Sequence, residues 1–120
     1  VSDSLNAPQP LPTAGEGPEV WPLIYDSTRL VLPDWLRADM RERHELGRAK
    51  YGVGLRVWNG RDCIVDAYQE ALDLAVYLTQ AKERVAPKSM VGLNLARHHA
   101  LQLCVWLGEL ARSGKVPVEP

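Results

Sequence analysis

Cysteine is scarce in this chain, net charge is close to zero and long apolar runs are missing; each shortage argues against a class of protein. The two cysteines, Cys63 and Cys104, stand far apart and in no C-x-x-C spacing. That argues against a thiolate metal knuckle or a dithiol redox motif, and both are read as buried free thiols in a reducing compartment. With 14 Lys and Arg against 15 Asp and Glu, the net charge is −1, which supplies no field to recruit nucleic acid or an anionic membrane. No stretch approaches the ~18–20 apolar residues of a membrane span, and the acidic, proline-rich N-terminal region is unlike a signal peptide. The expectation is a cytoplasmic protein with neither a nucleic-acid nor a membrane partner.

What is present is an ordinary globular composition, 46% hydrophobic and 24% charged over 120 residues, enough for one domain with a core that barely suffices alone. Six of the nine prolines (Pro8, Pro10, Pro12, Pro18, Pro22 and Pro33) fall within residues 1–33, so this segment is predicted to be an extended arm without helix. Residues 1–19 read as mobile, whereas 20–32 are apolar enough to need burial against the helices or a neighbouring subunit. The domain proper is placed at 34–120. Asp34 is the expected N-cap of a helix over 35–50, and Gly52, Gly54 and Asn59-Gly60 give the following loop its turn chemistry. Asp62 caps a second helix, about 63–84, closed by Pro87. Ser89 caps a third, about 90–112, ended by Gly114 and Pro117. The short link makes the second and third helices antiparallel neighbours, and no strand pairing is apparent. The expected class is all-α, a helical bundle with an N-terminal arm.

At 100° per residue, Trp35, Ala38, Glu42, Glu45, Leu46 and Ala49 share one side of the first helix, and Arg37, Arg41, His44 and Arg48 the other, read as the solvent side. Two glutamates three residues apart thus stand on the apolar stripe. In the second helix, Ile64, Tyr68, Ala71, Ala75 and Leu78 form the core face, while Asp66, Glu70, Asp73, Tyr77 and Arg84 line up opposite. Flanked by Ala67, Leu74 and Val76, that helix is read as buried on both sides. A carboxylate taken out of water needs a cation, and like charges in line on a helix repel. An E-x-x-E pair and an E-x-x-D pair on antiparallel helices can converge four oxygen ligands, which suits Mg²⁺ or Mn²⁺ rather than zinc. The adjacent His98 and His99 point about 100° apart, so they cannot chelate together and are read as structural.

Glu42-Arg-His-Glu45, then Gly47-Arg-Ala-Lys50-Tyr51-Gly52, Asn59-Gly60-Arg61-Asp62 and Asp66-Ala-Tyr-Gln-Glu70-Ala-Leu-Asp73-Leu-Ala-Val-Tyr77 together resemble the signature of the all-α nucleoside triphosphate pyrophosphohydrolases. This is the MazG-like superfamily, which includes dimeric dUTPases and phosphoribosyl-ATP pyrophosphohydrolase, and the likeness is strongest to its small phage-type members. It covers residues 35–84, about 40% of the chain. The resemblance implies a helical bundle that splits a nucleoside triphosphate into monophosphate and pyrophosphate. It makes Glu42, Glu45, Glu70 and Asp73 the Mg²⁺ ligands, with Mn²⁺ as a substitute, and places Tyr77 at a substrate-contacting position. Only three long helices are visible where the fold's usual core has four or more, so completion by oligomerisation, as a dimer or tetramer, is expected.

Hydrolysis of a phosphoanhydride needs positive charge against the spreading charge of the transition state and a water activated by a base. Glu42 or Glu45 is the candidate base. Lys50 and Arg61 are candidate phosphate contacts, Asn59 and Trp58 candidate base contacts, and Tyr77 and Arg84 candidate substrate contacts on the acid stripe. Met90, Leu93, Leu95, Trp106, Leu107 and Leu110 give the third helix more apolar surface than a lone domain can cover, and it is read as a subunit interface. The resemblance to phage-type members implies a deoxynucleoside triphosphate substrate, with a purine, dGTP foremost, expected. The alternatives are dUTPase-like or phosphoribosyl-ATP pyrophosphohydrolase-like specificity, or a non-enzymatic helical interaction module whose carboxylates pair with Arg37 or Arg41 of a neighbour.

Overall fold

The computed structural model describes residues 4–27 and 32–120. Thr28, Arg29, Leu30 and Val31, part of the apolar segment expected to need burial, lie outside the described residues, as do the first three residues of the arm. In chain order the elements are β1 (Glu16–Glu19), α1 (Val20–Ser27), α2 (Asp34–Tyr51), β2 (Arg56–Trp58), α3 (Cys63–Lys82) and α4 (Met90–Ser113), with a 3₁₀ turn (Pro87–Ser89) leading into α4. The protein is mostly helical, and the described chain separates into two compact units. One comprises residues 4–9 and Asp62–Pro117, the other Pro10–Arg61 and Val118–Pro120.

The first unit is built on an α3–α4 hairpin. Asp62 caps α3 as its sequence position suggests: its carboxylate accepts from the backbone N–H groups of Ile64 and Val65 at 3.0 and 3.1 Å, satisfying two otherwise orphaned donors. Ala71, Ala75, Ala100 and Gly108 are the buried positions of the two helices, Ala100 being 1% exposed. Small side chains there let the helix surfaces interdigitate closely. A Cβ at Gly108 would stand 3.0 Å from the Tyr68 ring, so the absent side chain makes room for that ring. Across the hairpin, Arg97 Nε donates to Thr79 Oγ1 at 2.8 Å, and that hydroxyl donates to Ala75 O. The expected core face of α3 is thus the observed one. Its other side is open, however, with Leu74, Val76 and Tyr77 exposed, so burial on both sides is not found among the described residues. The Ser89 side chain, expected to cap α4, lies outside the described side chains.

Residues 4–9 are fastened to α3. Gln9 brackets the backbone of Asp62, its amide nitrogen donating to Asp62 O at 2.7 Å and its oxygen accepting from Asp62 N–H at 3.3 Å. Gln69 Nε2 donates to Leu5 O and Ala7 O. This stretch is not extended, since it makes a turn closed by Ala7 N–H to Ser4 O at 3.3 Å, and it is tethered.

The second unit corrects three readings. A helix, α1, occurs inside the proline-rich segment, because Pro22 falls in its first turn, where a backbone N–H has no intrahelical acceptor to lose. A short antiparallel pairing also exists. Glu16 lies opposite Trp58 and Glu19 opposite Arg56, with one extra residue on β1 accommodated by Gly17 at φ +80°. Third, Asp34 does not cap α2; Pro33 occupies that position, and no side chain caps the helix. Asp34 instead puts its charge in the first turn, where the helix dipole favours it.

The face assignment of α2 is corrected in part. Arg41 and Arg48 are exposed as expected, but Leu36, Arg37, Met40 and His44 are half-buried, whereas Trp35, Ala38, Glu42, Glu45, Leu46 and Ala49 are all exposed. The cause is α1: its Trp21 stacks on His44, ring centroids 5.8 Å apart at 18°, and also meets Tyr25. His44 Nε2 and Tyr25 Oη are buried with no hydrogen-bond partner among the described residues. Cys63 and Cys104 are both free, as expected, but Cys63 is exposed rather than buried.

Candidate functional site

The acidic pairs stand on the two helices that the sequence assigned them to, Glu42 and Glu45 on α2 and Glu70 and Asp73 on α3. All four are exposed. Three-residue spacing puts each pair on one helix face, a turn apart. Neither pair is neutralised among the described residues. An ion pair joins Arg48 to Glu19 at 3.3 Å, and Arg37 Nε donates to Leu32 O. Glu42, Glu45, Glu70 and Asp73 accept no hydrogen bond and face no cation among the described residues. The pairs lie in separate units, and no group of three or more His, Cys, Asp or Glu side chains that could hold a metal ion occurs among the described residues. What each helix offers is two oxygen donors with no nitrogen or sulfur ligand. That donor set fits Mg²⁺, which keeps several waters and binds through one or two carboxylates together with substrate phosphates.

The remaining predicted contacts are distributed unevenly. Tyr77 lies one turn beyond Asp73 and is exposed. Arg84 does not continue that stripe: α3 ends at Lys82 with Glu83 as C-cap, and Arg84 turns back with its N–H on Ala81 O at 2.9 Å. Lys50 closes α2, its Nζ 5.2 Å over the Tyr51 ring, followed by Gly52 at φ +78°, whose N–H bonds Arg48 O. Asn59 serves the turn, its Oδ1 accepting from the backbone N–H of Arg61 at 3.1 Å and its carbonyl from Thr13 N–H at 2.9 Å. Arg61 Nη1 donates to Pro10 O at 2.8 Å. The loop read as substrate-binding is therefore held by the arm.

That grip continues along the strand pair. Arg56 Nη1 donates to Gly17 O and Val20 N–H to Leu55 O, both at 2.8 Å. Beside it lies a hollow of about 260 Å³ lined by Thr13, Glu16, Trp58, Gly60 and Val118, Glu119 and Pro120. Sequence reasoning named Trp58 but missed Glu16, because only the pairing of residues far apart in the chain makes them neighbours.

Comparison with family models, curated proteins and solved structures finds no match for this chain. None of the described helices is long and apolar enough to cross a membrane.

Proposed function

We propose that the chain is a Mg²⁺-dependent nucleoside triphosphate pyrophosphohydrolase that cleaves a deoxynucleoside triphosphate to the monophosphate and pyrophosphate. The observation that carries this reading is the pair of carboxylate doublets, Glu42 with Glu45 and Glu70 with Asp73, each exposed and each without a cation among the described residues. Supporting it is the resemblance of residues 35–84 to the MazG-like signature. The second reading is a non-enzymatic helical interaction module whose carboxylates pair with Arg37 or Arg41 of a neighbouring chain.

In the hydrolase reading Glu42, Glu45, Glu70 and Asp73 would hold magnesium, with manganese as a substitute. The metal would supply Lewis-acid polarisation of the phosphates and a lowered pKa for the attacking water. Glu42 or Glu45 would serve as the general base for that water. Lys50 and Arg61 contribute positive charge toward phosphate oxygens, where charge grows as the anhydride opens. Tyr77, roughly 6 Å along the helix axis from Asp73 at 1.5 Å per residue, contacts the triphosphate or sugar. Arg84, past the helix end, reaches substrate only by its long side chain. The enzyme works as a homo-oligomer: Val91, Leu95, Val105 and Trp106 of α4 are exposed in one chain, more apolar surface than an isolated molecule keeps in water.

The test is a screen of the eight common nucleoside triphosphates for pyrophosphate release, with and without Mg²⁺, beside a calorimetric Mg²⁺ titration. Glu70→Gln keeps the shape and loses the charge. It is expected to cut turnover at least about a hundredfold and to weaken the Mg²⁺ heat, while thermal stability without metal holds or rises as repulsion with Asp73 is relieved. Unchanged turnover in this variant would remove the site assignment.

A further inference from the structure

The hollow beside the strand pair has a composition that the proposed hydrolysis does not use. It is lined by Trp58, by Glu16, Glu119 and Thr13 as the residues with polar side chains, and by Gly60, Val118 and Pro120. Glu16 and Trp58 are direct cross-strand partners, and residues opposite each other in an antiparallel pair project to the same face. Backbone conformation fixes the arrangement. Gly15 at φ +91° and Gly17 at φ +80° flank Glu16, and side chains there would run into the Trp58 carbonyl and indole ring, a Cβ at Gly15 lying 2.7 Å from Trp58 O. Gly60, at φ +77°, lies against Thr13 with no side chain of its own. Among the described residues no Lys or Arg lines the hollow, and neither Glu16 nor Glu119 has an ion pair or hydrogen bond.

Such a surface repels phosphate and selects a planar group that presents hydrogen-bond donors. An indole face is a stacking platform for any base, so stacking alone does not discriminate. The carboxylate does. A carboxylate accepts two parallel N–H bonds side by side, and of the four DNA bases guanine alone carries two adjacent donors on its pairing edge, the ring N–H and the exocyclic amine. Adenine and cytosine each place an acceptor beside their single amine, and thymine flanks its N–H with two carbonyls. Opposite a carboxylate those acceptors are repelled. We infer that this hollow is a guanine-reading site, with Trp58 stacking on the base, Glu16 accepting from its two adjacent N–H groups, and the Thr13 hydroxyl available to the neighbouring carbonyl oxygen. The choice of a nucleobase as ligand rests on the hydrolase reading above; the choice among bases rests on the hollow.

Binding of deoxynucleoside monophosphates without metal tests the site apart from the chemistry. Calorimetry with dGMP, dIMP, dAMP, dCMP and dTMP is expected to rank dGMP first, at least about tenfold tighter than dAMP, dCMP or dTMP, and dIMP, which lacks the exocyclic amine, in between. Glu16→Gln, at an exposed position, should fold normally by circular dichroism and lose most of the preference for dGMP; Trp58→Phe should weaken all bases together. Equal affinity for the monophosphates, an unchanged preference in Glu16→Gln, or spermidine binding that competes with no nucleotide would each overturn the inference. The two readings separate cleanly. A protein that hydrolyses no triphosphate but still binds dGMP through Glu16 keeps the guanine site and loses the hydrolase. One that hydrolyses all triphosphates alike, with Glu16→Gln indifferent, keeps the hydrolase and loses the guanine site.

Discussion

Helices α2 and α3 carry the same device, two carboxylates three residues apart, in different settings. α3 has its packing partner on the chain: Ala71 and Ala75 are buried against α4, and Glu70 and Asp73 stay exposed. α2 contains no buried residue, and Trp35 stays 67% exposed. It leans on α1 through His44 and Trp21 instead. An apolar stripe therefore states that something is to be covered, not what covers it. α3 shows a finished interface, α2 an unfinished one.

The sharpest way to break this comparison is to enlarge matched alanines. Ala100→Leu forces three carbons into the closed α3–α4 seam and is expected to cost about 1–3 kcal/mol or more, read as a lower urea midpoint at unchanged slope. Ala38→Leu on the open side of α2 should stay within about 0.5 kcal/mol. Equal losses would mean that α2 is as closed as α3.

Next in size is assembly. Trp106→Glu, 58% exposed in one chain, should leave the melting of the hairpin nearly intact. It should raise the dissociation constant of the proposed homo-oligomer at least about tenfold, because a charge would enter an apolar contact. Light scattering across a dilution series reads this directly, and a wild type that stays monomeric at micromolar concentration would refute it.

The smallest effect compares the helix starts. Asp62→Ala removes a cap with two short hydrogen bonds and should cost about 1 kcal/mol, whereas Asp34→Ala, which loses only a dipole contact, should cost a few tenths. Melting curves of the two variants side by side check the ratio.

The parts of this fold legible in the sequence are those settled within a few residues. Asp62 announces its cap by preceding an apolar run, Asn59-Gly60 announces a turn that Gly60 makes at φ +77°, and the alanine spacing of α3 announces its buried face. The misread parts depend on distant partners. The inward turn of His44 required Trp21, on a helix that the prolines concealed. The pairing of Glu16 with Trp58 joins residues with no alternating pattern between them. The acidic pairs were visible by spacing, but their exposure was not, since the apolar neighbours that suggested burial are themselves exposed in the single chain.

The tether of the arm has a kinetic and entropic side. Gln9 reaches across 53 residues to Asp62 and Gln69 across 64 to Leu5, while the Arg97–Thr79 link of the hairpin closes only 18. With closure entropy growing as (3/2)RT ln n, the arm's loops cost about 1 kcal/mol more than the hairpin's. They are held by part-buried side-chain amides rather than by a helix–helix seam. Local opening is cheapest where few buried contacts oppose it, so residues 4–9 unlatch while α3 and α4 stay paired, giving the molecule a slow-closing, early-opening end beside the cap of α3.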